Sequence, residues 1–178
     1  MIDFQPFGPF KIPLSNGAPD RTRLKDFWLS AEDVLPGITG AIGCYIFAIR
    51  AGRGIRPWYV GKTDKGTFKG EVFQPHKLLI YGEVLRARKR GTPLLYFIVR
   101  QTPRGKLVKK RANGDRTTCQ LEELLIGSSL LRNPNLANKR TTKHFREMRV
   151  PGYMNEAPGS RSCEATRLAH LLGTKRGA

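Results

Sequence analysis

Gly43-Cys44-Tyr45-Ile46-Phe47-Ala48-Ile49-Arg50, followed across a Gly-rich connection by Trp58-Tyr59-Val60-Gly61, decides how this chain is read. The first stretch, begun by Ile42, has the period of a strand. Cys44, Ile46 and Ala48 point one way, and Gly43, Tyr45, Phe47 and Ile49 the other. Ala51–Pro57 carries the chain back, and Trp58–Gly61 reads as a second short strand antiparallel to the first.

Downstream, Lys62–Gln74 is basic and contains Gly66 and Gly70. Pro75 should break any helix here, because it lacks a donor and clashes with the preceding turn. His76–Arg90 has helical spacing, with Leu78, Leu79, Gly82 and Leu85 on one stripe. Its end carries Arg86, Arg88, Lys89 and Arg90 before Gly91, more cations than the capping of a helix end needs. Leu94–Gln101 is a strand, Pro103-Arg104-Gly105 a turn and Lys106–Lys110 a further strand. After the polar loop Arg111–Arg116, Thr117 and Gln120 match a capping box, and a helix runs to about Leu131. Asn133-Pro134-Asn135 ends it. Phe145–Met154 reads as a last strand or a loop, and Ser160 or Ser162 caps a final helix through Leu172. Upstream, residues 1–22 form an extended arm rich in Pro, Gly and Phe, anchored by Phe4, Phe7 and Phe10. A short helix covers Arg23–Leu29, and Ser30 starts another.

This order predicts an α/β domain of the α+β type, a small, mostly antiparallel mixed sheet flanked by helices. Residues 1–37 would be an arm and short helix packed on the core, 38–145 the core itself, and 146–178 an extension with a short helix.

Charge narrows the function. Lys and Arg number 32 against 14 Asp and Glu, which gives a formal net charge of +18. Such an excess repels itself, and nucleic acid is the default partner because each neutralised phosphate releases counterions. An anionic membrane surface is the rival. No apolar run reaches the roughly 18 residues of a membrane span, and Met1–Pro13 lacks the apolar segment of a signal peptide. The expectation is a cytoplasmic protein. Cys44, Cys119 and Cys163 are odd in number and form no Cys-x-x-Cys pair, which argues against a zinc site or a disulfide framework.

Four residues stand out as chemistry in an ordered series: Tyr45, Tyr59, Lys62 and Glu122. On the later helix, Leu121, Leu124, Leu125 and Ser128 form the expected inward stripe. Glu122 lies about 100° from Leu121, at its edge, where a carboxylate faces a cleft. A hard divalent cation takes oxygen ligands of this type. A tyrosine hydroxyl titrates near 10, too high for a base at neutral pH unless a neighbouring cation lowers it. Lys62 is the candidate for that cation.

Gly43-Cys44-Tyr45 followed by Tyr59-Val60-Gly61 and Lys62 resembles the paired elements of the GIY-YIG nuclease superfamily, as in nucleotide-excision-repair incision nucleases. Glu122, Ile126, Pro134 and Asn138 resemble the family's later segment, with Asn135 a rival for the asparagine. The likeness covers about residues 40–140. The family's arginine falls at Lys69, or at Glu71 if counted from Phe68, and His76 and Lys77 are alternatives for the missing cation. Lysine cannot repeat arginine's bidentate fork. The resemblance implies metal-dependent phosphodiester hydrolysis, with Glu122 holding Mg²⁺ or Mn²⁺ and no small-molecule cofactor. Tyr45 or Tyr59 would handle the water's proton. Lys62 would tune the tyrosine or hold phosphate, and Lys69, His76 or Lys77 would meet the developing charge.

The remaining cations read as a phosphate-contacting surface: Arg53, Arg56, Lys77, Arg86, Arg88, Lys89, Arg90, Lys139 and Arg140, together with Asn138. The expected partner is DNA, with RNA as an alternative, and the chain would be a monomer or homodimer. A self-contained endonuclease of restriction, mobile-element or antiviral type is the leading reading. An inactive nucleic-acid-binding module of the same fold and an RNA-binding protein are the rivals.

Overall fold

The protein, seen in a computed structural model, is described over residues 2–52, 54–88, 90–110, 112–139, 142–156 and 158–173. Asp3–Lys11 forms β1, and Leu14–Ser15 (β2) pairs with Ala18–Pro19 (β3). Leu24–Val34 is α1, Gly43–Ala51 β4, Gly54–Thr63 β5, Phe68–Glu71 α2 and Pro75–Arg88 α3. Thr92–Gln101 is β6, Arg116–Arg132 α4, Lys143–Glu147 α5 and Cys163–Leu171 α6. The main sheet has the order β1-β6-β4-β5 and is antiparallel at every pair. This is the α+β architecture expected, with no parallel pairing among the described strands. No described helix is long and apolar enough to cross a membrane.

β4 is an inner strand, so both of its faces are covered, and this is why its sequence is apolar on both. Tyr45, Phe47 and Ile49 enter a core of rings that includes Phe10, Phe27, Trp28, Phe68, Tyr81 and Phe97. Phe47 stacks on Tyr81 of α3 at 4.3 Å, and Phe68 of α2 meets Phe97 edge-on at 4.8 Å. Each such buried ring stabilises the fold by on the order of 2–3 kcal/mol. On the opposite face a smaller cluster of Val60, Ile126 and Leu136, with Ile46 packed against it, joins the sheet to α4.

The expected arm is a strand of the sheet. β1 pairs with β6 from Asp3↔Gln101 to Lys11↔Leu94, with an irregularity between Phe7 and Phe10. Pro6 and Pro9 concealed it in the sequence, yet on an edge strand a residue without a donor is tolerated and discourages further pairing. The opposite edge, β5, is closed by the chain after α4. Asn133 Nδ2 donates to the Pro57 carbonyl at 2.7 Å and the Ala137 amide to that of Trp58 at 2.8 Å.

Other expectations shift for local reasons. The two short helices before residue 35 are one, and Ser30 bonds back to the Asp26 carbonyl instead of capping. Pro75 begins α3, the one position where its missing donor is harmless. The inward residues of α3 are Tyr81, Val84 and Leu85, and Leu79 is exposed. Lys106–Lys110 contributes only isolated bridges, Gln101↔Leu107 and Ala41↔Lys109. Asp115, not Thr117, caps α4 by accepting from the Thr118 amide at 3.0 Å. Residues 143–154 are a short helix and a turn, and Ser162 is the cap of α6.

Candidate active site

A cleft of about 260 Å³ opens where β5 ends. Lys62, Thr63, Asp64, Lys65 and Gly66 line it from the strand end and the following turn. Glu71 lines it from α2, Lys77 from the first turns of α3 and Glu122 from α4. Two of the four leading sequence candidates, Lys62 and Glu122, thus share one cavity, and both tyrosines lie behind it.

The helix that carries Glu122 is rotated from the expected stripe. Its buried residues are Thr118, Ile126 and Ser129, while Leu124 is 66% exposed. Thr118 and Ile126, four residues to either side of Glu122, are buried, while Glu122 itself is half-buried and faces the cleft, as expected of a residue at the stripe's edge. An acid there is expensive unless it is paired or bound. Among the described residues no cation lies within ion-pair distance of it. Burial raises its pKa above the ordinary glutamate value. The charges of Lys62 and Lys77 offset this only in part, and Asp64 and Glu123 add to it.

Both lysines near Glu122 are engaged elsewhere. Lys62 Nζ donates to Asp64 Oδ1 at 3.0 Å. Burial pulls this ammonium toward losing its proton, but the hydrogen bonds and charges of Asp64 and Cys119 together outweigh that, so Lys62 titrates above the ordinary lysine value. Lys77 Nζ donates to Tyr59 Oη in a very short contact and lies 4.8 Å from the ring centroid. The cation beside the tyrosine is therefore Lys77, not Lys62. Lys77 was expected only on the nucleic-acid surface or as one alternative for the family arginine.

Tyr45 explains the two glycines of the sequence pattern. Its ring lies directly over Gly61, where any Cβ would collide with the phenol. Gly43 has φ of 151°, and a Cβ there would strike the Ile98 carbonyl. Tyr45 is wholly buried, and its hydroxyl has no partner. Burial, aided by Tyr81 and Tyr59, pushes its pKa well above the ordinary tyrosine value, so it stays a neutral phenol. The other orphaned side-chain atoms are Thr63 Oγ1 in the cleft lining, Thr118 Oγ1 one turn before Glu122, and Nη1 of Arg100. Buried polar atoms without partners are rare and need a reason, and here they sit in the cleft, behind it and at the start of α4.

Some expected site residues are elsewhere. Lys69 and His76 are exposed and do not line the cleft; the Lys69 charge acts on Glu32. Asn138 is buried, not on a nucleic-acid surface. It accepts from the Val60 amide at 2.9 Å and donates to the Val60 carbonyl at 2.7 Å, standing in for a neighbouring strand. Asn135 is exposed. Arg56, Arg86, Arg88, Arg90 and Lys139 are exposed, and Arg88 covers the Trp58 ring at 5.3 Å. Lys77 and Arg88 are eleven residues apart on α3, about 16 Å along the axis. Arg53, Lys89 and Arg140 lie outside the described residues. Asp64 was missed, and its only signal is that it is an acid inside the basic run Lys62-Thr63-Asp64-Lys65.

A larger groove of about 480 Å³ lies between the end of β1, the start of α1 and the start of β6, with Lys11, Arg23 and Asp26 in its wall. It contains none of the orphaned atoms and none of the expected site residues, so size does not make it the site. The chain matches no known family model, no curated protein and no solved structure.

Proposed function

We propose that this chain is a metal-dependent endonuclease of the GIY-YIG type, hydrolysing phosphodiester bonds of DNA. The observation that carries the reading is Glu122, a half-buried carboxylate facing the cleft with no ion pair among the described residues, in a chain of net charge +18. The donor set fits Mg²⁺ or Mn²⁺. The cleft lining carries the carboxylates of Asp64, Glu71 and Glu122, hard oxygen ligands, and an open cleft suits an ion that keeps several of its waters. Asp64 is engaged by Lys62 and Glu71 by Gln74, so Glu122 would be the protein anchor. When bound, the ion supplies charge neutralisation at the phosphoryl oxygens and the leaving group.

The chain's own residues do the rest. Tyr59 Oη, held by the Lys77 ammonium, orients the attacking water. Tyr45, fixed as a neutral phenol, acts as a hydrogen-bond donor behind the reacting centre. Lys62 and Lys77 meet phosphate oxygens as point charges, in place of an arginine fork. The exposed Arg56, Arg86, Arg88, Arg90 and Lys139 contact flanking phosphates and position the strand without reading sequence.

A second reading, an inactive nucleic-acid-binding module, is favoured by one feature: the cleft lining includes no arginine. Supercoiled plasmid incubated with Mg²⁺, Mn²⁺ or EDTA separates the two. Metal-dependent nicking by the wild type and none by Glu122→Gln supports the enzyme. Binding without nicking in any metal rejects it in favour of the module, and turnover of structured RNA alone would move the substrate from DNA to RNA.

A further inference from the structure

Asp64 has three neighbours that the hydrolytic reading does not use. Its Oδ1 accepts from Lys62 Nζ at 3.0 Å. Its Oδ2 accepts from the Asp115 amide at 3.3 Å, immediately before α4, and from Cys119 Sγ at 3.6 Å on the first turn of that helix. The loop is shaped to admit it. Gly114 has φ of 74°, and a Cβ there would meet Asp64 Oδ2 at 2.6 Å. One carboxylate therefore joins the end of β5 to the start of the helix that presents Glu122.

Lys62 and Glu122 line the same cleft. A long lysine beside a half-buried carboxylate that has no ion pair among the described residues collapses onto it unless something else holds it, because the pair recovers part of the cost of desolvating both charges. Asp64 holds Lys62 at 3.0 Å, with Cys119 as a weaker second partner. A lysine collapsed onto Glu122 would occupy the oxygens that a divalent cation needs.

We propose that Asp64 is a positioning residue that keeps the cation site of the cleft open, tethering Lys62 away from Glu122 while anchoring the first turn of α4. The role rests on the reading of Glu122 as a cation ligand. It makes Asp64 neither a ligand nor a proton carrier, and Lys62 a charge that phosphate can reach because it is held out of the metal's place.

Binding of Mn²⁺ to the full chain, followed by the loss of the free-ion electron paramagnetic resonance signal, tests this without any need for turnover. Asp64→Asn keeps the shape and an oxygen for the Asp115 amide but releases Lys62. It should weaken Mn²⁺ binding about tenfold, the scale of coupling between contacting charged groups. Adding Lys62→Met to Asp64→Asn should restore the affinity, because nothing is left to collapse onto Glu122. Lys62→Met alone should bind as well as the wild type or better, which keeps the idea testable if Asp64→Asn folds poorly. Unchanged affinity in Asp64→Asn, or no recovery in the double variant, overturns the tether, the latter because Asp64 would then be a ligand itself. Wild type that binds no Mn²⁺, or Glu122→Gln that binds it equally well, overturns the cation site and the tether with it. That failure is distinct from one in which Glu122 binds and Asp64 has no effect.

Discussion

The cap and the second turn of α4 carry two acids with opposite fates. Asp115 caps the helix through the Thr118 amide and pairs with the buried Arg100, Nε to Oδ2 at 2.5 Å. Glu122, two turns on, is half-buried, faces the cleft and has no ion pair among the described residues. A chain with 32 Lys and Arg has no shortage of partners. Two lysines near Glu122 are nevertheless spent on Asp64 and Tyr59. A satisfied buried acid holds a fold together, and an unsatisfied one is tolerated where something from outside completes it.

The largest effects should separate the two acids most sharply. Glu122→Gln should lower metal-dependent plasmid cleavage by about 10³-fold, the several kcal/mol expected of a metal anchor. The same variant should melt higher, by about 3 °C for about 1 kcal/mol, because it relieves a half-buried carboxylate. Differential scanning calorimetry checks this, and an unchanged or lower melting temperature would break the contrast. Arg100→Met should do the reverse. It removes one half of the buried Arg100–Asp115 ion pair and should destabilise the protein by about 3–5 kcal/mol, a fall of roughly 10 °C, while urea melts show whether the loss is cooperative.

Lys77→Met should reduce turnover about 100-fold with binding of plasmid largely kept, since the lysine acts inside the cleft, on the Tyr59 oxygen and one phosphate, rather than along the flanking strand. Lys77→Arg should recover part of that loss, and equal activity in all three proteins would remove Lys77 from the site. A pH series gives a smaller, graded effect. The pKa of Glu122 is raised by burial, so metal-dependent cleavage should fall, as pH drops, at a higher pH than an ordinary glutamate would give. Stability should move the other way through that window. The folded state binds the extra proton, so the Glu122 contribution to stability improves as pH falls toward the ordinary glutamate value and is absent in Glu122→Gln. The smallest change belongs to the surface. Arg88→Ala should lower the salt dependence of plasmid binding by about one unit of slope and leave the turnover of bound substrate alone.

The sequence by itself determined the strands around Tyr45 and Tyr59, the α+β class and the net positive charge. These are local or additive properties: a period of two, an order of elements and a sum of charges survive without coordinates. It also named Tyr45, Tyr59, Lys62 and Glu122, because their order along the chain forms a pattern. Only the tertiary structure decided which cation meets which oxygen. Lys77 and Tyr59 are eighteen residues apart, and Asp64 and the Asp115 amide fifty-one. No periodicity reports contacts of that separation. The same holds for Asn138, whose amide closes the β5 edge seventy-eight residues away instead of facing a ligand. The rotation of α4 that left Leu124 exposed was equally hidden. Leucines at positions 121, 124 and 125 advertise one face, and packing against Val60 chose another, centred on Ile126. Hydrophobic pattern sets which helix faces are possible, and the shape of the sheet beneath selects among them.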